Sequence, residues 1–226
     1  VSLFAAYGMT LDPALIPTDT AVSTYALIRD ETAERKAATF LLGDNLERTT
    51  QGGGIYTYTS QQGAAAFRDT GSFDAAGSLS QENAEAFCRD FCKAFSYDTP
   101  IFTLDETGSG TATAVRLWSG TPVFNAAVTF TIDQGRVLSA SGALLPETGA
   151  ETSSGQKPLS AFAALTAFQQ MRHASSSVVS SITEVSLCYE LQSTTAAPMA
   201  LVPSWRIVTD TATFYVNCIS GTVRRA

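Results

Sequence analysis

With 226 residues, 45% of them hydrophobic and only 15% charged, the chain can build one large domain or two to three small ones, its surface finished largely by Ser, Thr, Gln and Gly. A net charge of −7 disfavours nucleic acid, whose phosphates need clustered Lys and Arg, and disfavours an anionic lipid surface. No stretch reaches the roughly 18–20 apolar residues of a membrane-spanning helix.

Residues 1–20 carry Leu3, Phe4, Tyr7, Leu11, Leu15 and Ile16 with Pro13 and Pro17, which predicts a short helix and an extended lead-in. The opening Val1-Ser2-Leu3-Phe4 lacks an initiator Met, as a trimmed or processed form would. Residues 22–28 alternate as a strand does. Asp30 then caps a first helix, with Glu31 and Glu34 placed well for its dipole and Ala33, Ala37, Phe40 and Leu41 as its buried stripe. Gly43 ends it. Short strands are predicted at 45–49, 54–59, 64–68 and 71–75, separated by Gly-rich turns.

Ser80 is the predicted cap of a second helix that starts near Gln81 with Glu82 in its first turn; Ala84, Phe87, Cys88, Phe91 and Phe95 recur at helical spacing. Strands follow at 101–105, 111–118, 122–132 and 135–142, with Ala126, Val128, Phe130 and Ile132 alternating and Asp133-Gln134-Gly135 as a hairpin turn. Residues 146–158 read as a polar linker. A third helix turns Phe162, Leu165, Phe168 and Met171 inward, and strands follow at 181–191, 201–209, 212–219 and 222–224. Gln81 and Leu159 lie 78 residues apart and Pro122 and Pro203 lie 81 apart, an offset that indicates a repeated helix-then-sheet unit. The repeat matches Trp205 to Phe124, and Trp205 reads as a core residue.

These patterns predict an α+β fold of three successive helix-plus-antiparallel-sheet units. Their bounds are 1–78, 79–146 and 157–226, the last two cystatin-like or PepSY-like.

Chemistry has little support along the chain. His173, the one histidine, falls at the end of the third helix before Ser175-Ser176-Ser177, where a cation suits the C-terminal dipole better than a catalytic role. Gly52-Gly53-Gly54 and Gly108-Ser109-Gly110 lead into strands and read as turns, not phosphate loops. Asp30-Glu31 and Asp105-Glu106 sit at a helix start and a turn rather than across a cleft. Cys88 and Cys92, four apart on one helix, suit neither a disulfide nor, lacking two further ligands, zinc. Strand alternation puts Cys188 on the polar face with Ser186 and Glu190, and Cys218 on the apolar face with Phe214 and Val216, so four free thiols are expected.

The surface candidates are aromatic. On 111–118, Thr113, Val115 and Leu117 form one face, and Ala112, Ala114, Arg116 and Trp118 the other. With the first set inward, Arg116 and Trp118 point outward together, a pairing favoured at interfaces; Tyr56 and Tyr58 share a face in the same way.

Several of these segments together resemble the YycH/YycI family: 33–42 leading to Gly43, Gly54-Ile55-Tyr56-Thr57-Tyr58, Phe67 to Phe73, Gly120-Thr121-Pro122-Val123-Phe124 to Gly135-Arg136-Val137, and Leu201-Val202-Pro203-Ser204-Trp205 to Gly221-Thr222-Val223. The resemblance covers most of 20–226. Gly-Thr-Pro-Val-Phe and the closing Pro-Ser-Trp…Ser-Gly-Thr-Val also look like PepSY and protease-propeptide modules. The resemblance implies a non-enzymatic, extracytoplasmic regulator, without cofactor or metal, whose partner is a sensor histidine kinase of a two-component system or a sister regulatory protein. It implies tethering to the cell membrane by an N-terminal helix that this sequence does not contain. The alternative it implies is a protease-inhibitory, propeptide-like module.

Overall fold

The computed structural model describes residues 4–5, 8–18, 22–80, 83–152, 157–175, 178–194 and 197–226. Tyr7, Gln81, Glu82, Ser176, Ser177 and the middle of the 146–158 linker therefore lie outside the described residues. The chain is a mixed α/β protein with extensive antiparallel sheet and three helices of three or more turns among the described residues.

In chain order the elements are β1 (Thr10–Leu11), a 3₁₀ turn (Pro13–Leu15), β2 (Thr24–Leu27), α1 (Glu31–Leu42), β3 (Glu47–Thr50), β4 (Tyr56–Ser60), β5 (Gly63–Phe67), β6 (Ser72–Gly77) and α2 (Ala84–Ala94). Then come β7 (Ile101–Leu104), β8 (Gly110–Trp118), β9 (Thr121–Asp133), β10 (Arg136–Ala143), β11 (Ala150–Thr152), α3 (Ala161–Ser175), β12 (Ser181–Gln192), β13 (Met199–Thr209), β14 (Thr213–Asn217) and β15 (Val223–Arg225).

The contacts divide the chain into two compact units where the sequence predicts three. Unit 1 is Val1–Tyr25, Glu151–Glu190 and Leu201–Ala226; unit 2 is Ala26–Ala150 and Leu191–Ala200. The predicted boundary near residue 78 is absorbed because β6 pairs with β10, from Ser139↔Ala76 to Ala143↔Ser72. That ladder makes one sheet of what the spacing separates.

In unit 2 the strands run β7-β8-β9-β10-β6-β5-β4-β3. Asp30 caps α1 through its carboxylate, which accepts from the Thr32 and Ala33 amides at 2.9 and 3.0 Å, and Gly43 ends the helix at φ 81°. The cap of α2 is Asn83, whose Oδ1 accepts from the Ala86 amide at 3.1 Å, three residues later than the predicted Ser80. Both helices cover one face of the sheet. Leu41 and Leu42 of α1 and Cys88, Phe91 and Cys92 of α2 bury against Tyr58, Phe67, Phe73, Ala112, Ala114, Phe130 and Ile132. The Phe40 ring joins the helices, 5.2 Å from Phe87 and 5.5 Å from Phe91 in edge-on geometry. The β9–β10 hairpin turns on Gln134 and Gly135, both left-handed at φ 49° and 75°, the two-residue turn that the strand twist favours.

The long strand β9 changes phase. Its pairing with β8 jumps from Val115↔Ala127 to Arg116↔Val123, bulging out Phe124, Asn125 and Ala126. Asn125 uses the exposure this gives it: Nδ2 donates to the Leu191 carbonyl at 2.8 Å and Oδ1 accepts from the Leu191 amide at 2.7 Å.

Unit 1 packs α3 over β12–β15. Ala161, Ala164, Leu165 and Phe168 bury with Ile182, Val185, Trp205, Ile207, Phe214 and Val216, together with Phe4, Met9 and Leu11 from the other end of the chain. Trp205 is 2% exposed, and its indole donates to the Leu159 carbonyl at 2.8 Å. The buried stripe of α3 excludes Phe162, which is 55% exposed: Ala161 takes the place the spacing gave it. In unit 1, β1 pairs in parallel with β12, Thr10↔Ser181 and Leu11↔Ile182.

All four cysteines are free and buried. Cys188 is 1% exposed, correcting its assignment to a polar face. The inward residues of β12 are Ile182, Val185, Cys188 and Tyr189, which does not keep a period of two. Burial pushes the Cys88, Cys92 and Cys218 thiols up to about 12 and raises Cys188 as well. Native protein at pH 7.5 is therefore expected to take up no iodoacetamide within an hour, and four adducts after unfolding, by intact mass. A fast native adduct would mean that one thiol is accessible.

Candidate functional site

The predicted outward pair on β8 is turned inward. Ala112, Ala114, Arg116 and Trp118 form the buried face, Arg116 at 0% and Trp118 at 6% exposure, while Thr111 and Thr113 are exposed and Val115 and Leu117 half-buried. The helices need small residues beneath their Phe side chains, and Ala112 and Ala114 supply them. By residue type the face of Thr113, Val115 and Leu117 is the more hydropathic of the two, so hydropathy alone points to the wrong face.

Arg116 is held by acceptors rather than by solvent. Nη1 donates to the carbonyls of Ser96 and Leu117 at 2.6 and 2.7 Å; Nη2 donates to the Leu145 carbonyl and to Glu147, both at 3.0 Å. Its guanidinium lies 5.7 Å from the Tyr97 ring centre, and the Tyr97 hydroxyl donates to the Ala143 carbonyl at 2.6 Å. Burial raises the Tyr97 hydroxyl pKa well above its ordinary value. The cluster pins the left-handed turn at Ser96, φ 55°, and the chain leaving β10.

Tyr56 and Tyr58 also differ from the surface reading. Tyr58 is 2% exposed and meets Phe67 edge-on at 5.8 Å. Tyr56 is half-buried, with the Arg29 and Arg48 guanidinium carbons 3.9 and 4.7 Å from its ring centre, and its hydroxyl donates to Glu31 at 3.1 Å. Arg29 also grips Glu34 at 2.7 and 2.9 Å and donates to the carbonyls of Gly54 and Phe67. Burial still lifts the Glu34 carboxyl above its usual range despite those two bonds from Arg29. The aromatic candidates are thus framework.

What remains open is an edge. In unit 2, β3 and β7 each pair with a single neighbour among the described residues. Strand β3 carries Glu47 and Arg48, charges of the kind that discourage a further strand. Strand β7 is Ile-Phe-Thr-Leu, with Ile101 75% and Leu104 37% exposed. It pairs with β8 from Ile101↔Thr113 to Leu104↔Gly110, and the Asp105 amide donates to Ser109 at 2.9 Å. The alternation of an antiparallel ladder then turns the N–H and C=O groups of Phe102 and Leu104 to the open side. Pro100 and Asp105 bound the strand, so the edge is short and defined. Sequence reading placed this strand at 101–105 but gave no sign that it stands at the margin, because strand order is set by pairings distant in sequence.

Beside the start of β7 lies an open cavity of about 380 Å³, between α2 and the chain entering the strand. No three His, Cys, Asp or Glu side chains gather to hold a metal among the described residues. No described helix is long and apolar enough to cross a membrane.

The fold and its open margin define a mixed α/β chain with an unprotected antiparallel edge. No family model matches the sequence, and no curated protein matches it. Among solved structures it is similar to an uncharacterized protein from Eubacterium rectale ATCC 33656, at 12% identity over 90% of this chain and 80% of that one, with a TM-score of 0.47. It is also similar to the Bacillus megaterium YpeB C-terminal domain, at 14% identity over 88% of this chain and 98% of that one, with a TM-score of 0.40.

Proposed function

We propose that this chain is a non-enzymatic binding module that receives an extended protein segment by strand addition along β7. The observation that supports this reading is the edge itself: a short apolar strand, bounded at both ends, with two residues' main-chain groups turned outward and no charged side chain to repel a partner. The finer reading takes its partner from the sequence resemblance. The module consists of PepSY-like helix-and-sheet units, works outside the cell membrane to which the full protein is tethered, and contacts a sensor histidine kinase or a sister regulator.

A photo-crosslinking residue at Thr103 of the full-length protein in cells, followed by mass spectrometry, tests both levels. Recovery of a sensor kinase or sister regulator supports the whole proposal. A secreted protease would favour the inhibitory, propeptide-like alternative while keeping the edge as the site. No adduct from Thr103, with adducts from other surface positions, would remove the edge.

Two substitutions sharpen the test. Leu104→Pro deletes an outward N–H that the β7–β8 ladder does not use, and Ile101→Lys places a charge on the exposed side. Each is expected to cut crosslinking at least about tenfold while costing no more than about 1 kcal/mol of stability. Undiminished crosslinking in Leu104→Pro would show that main-chain pairing is not the mode of contact.

A further inference from the structure

We propose that the segment captured on β7 carries an acidic side chain just beyond its apolar stretch, and that this carboxylate seats in the cavity at the Pro100 end of the strand. The inference rests on the strand-addition reading and adds the chemistry of the partner. The cavity has Arg89 and Lys93 of α2 on one wall and Thr99 and Pro100 on the other, with Cys92 and Tyr97 nearly fully buried beneath. In a chain with 14 basic and 21 acidic residues, two cations side by side at an apolar edge reverse the prevailing charge.

Both cations have capacity left. The Arg89 side chain is 51% exposed; its guanidinium lies 5.2 Å from the ring centre of Phe102, a β7 residue, and reaches Glu85 only at 3.7 Å. Lys93 is exposed, and none of the ion pairs among the described residues includes it. The one carboxylate in the wall, Asp98, accepts from the Thr99 amide at 2.7 Å and keeps its charge, so the two cations of the wall exceed it by one. An arginine that touches β7 through Phe102 and faces the cavity links the two features.

The geometry also sets the register. A strand added antiparallel to β7 runs its C-terminal end past Ile101 towards Pro100. At about 3.4 Å per residue, the carboxylate belongs one or two residues after the residue opposite Ile101. The recognised pattern is therefore alternating β-formers followed by Asp or Glu, a point charge added to main-chain pairing.

The test uses the full chain, ¹⁵N-labelled, and two eight-residue peptides of alternating Val and Thr, one ending in Glu-Glu and one in Gln-Gln. Both are amidated at the C-terminus so that no chain-end carboxylate competes. The acidic peptide is expected to shift the Phe102 and Leu104 amides and to bind at least about tenfold more tightly than its Gln counterpart. That advantage is expected to vanish in the Arg89→Gln/Lys93→Gln variant and in 0.5 M salt, while the neutral peptide binds the variant as it binds the native chain. Equal binding of both peptides with β7 shifts would overturn the acidic requirement and leave strand addition standing. An acidic preference that survives the double substitution would overturn the cavity as its seat. If neither peptide moves the β7 amides at 1 mM, both this inference and the strand-addition reading fall.

Discussion

Replacing Arg116 by Ala is expected to lower the stability of unit 2 by about 3 kcal/mol, read from the urea midpoint at constant m-value. The loss comes from two sources. The carbonyls of Ser96, Leu117 and Leu145 lose a donor in a place that solvent does not reach, and the long side chain leaves a hole. The ion pair contributes least, because Glu147 is 63% exposed and solvent screens it. Glu147→Gln is thus expected to cost under about 1 kcal/mol. Arg116→Lys is expected to behave more like Ala than like Arg, since one ammonium cannot reach both pairs of acceptors as the guanidinium fork does. Equal losses for Arg116→Ala and Glu147→Gln would show that the charge pair, not the carbonyls, holds the site.

Phe91→Ala is expected to cost about 3–5 kcal/mol. The ring is fully buried, and five other aromatic rings surround it: Phe40, Phe73, Phe95, Tyr97 and Phe130, at centroid distances from 4.6 to 6.2 Å. These partners come from α1, β6, β9 and the turn that follows α2, so no local shift can refill the space. Phe91→Leu keeps most of the volume and is expected to lose about half as much. Thermal unfolding monitored at the near-UV aromatic band separates the two. A loss under 1 kcal/mol for Phe91→Ala would mean that the α2 seam collapses freely, and would weaken the case for a rigid support behind β7.

Much of the fold is legible from local chemistry. The Asp30 cap, the Gly43 stop, the alternation of Ala126, Val128, Phe130 and Ile132, and the buried Trp205 each follow from residues within a few positions of one another. The failures share a different cause. Both faces of β8 are apolar enough to be core, and the choice is made by Phe side chains on a helix some 20 residues earlier and by acceptors near residue 145. Cys188 is buried because both faces of β12 are covered at that point, as the equally buried neighbour Tyr189 shows, and the residue types do not announce it. Arg116, Trp118, Tyr56 and Tyr58 carry the composition of an interface and serve as framework instead. The edge at β7 and its cavity were missed for the converse reason: exposure of Ile101 is a property of strand order.

The parallel pairing of Thr10–Leu11 with Ser181–Ile182 has a consequence for how the protein is made. A ribosome working at about 5–20 residues per second needs roughly 10–30 s to supply residue 182 after residue 11 has been added. Until α3 and β12–β14 are made, Phe4, Met9 and Leu11 lack the partners those elements supply, while most of residues 26–150 can already be folding. The Phe4–Leu11 stretch is made before residues 26–150 yet is placed after them, and a nascent chain must keep it from other apolar surfaces until α3 and β12–β14 arrive.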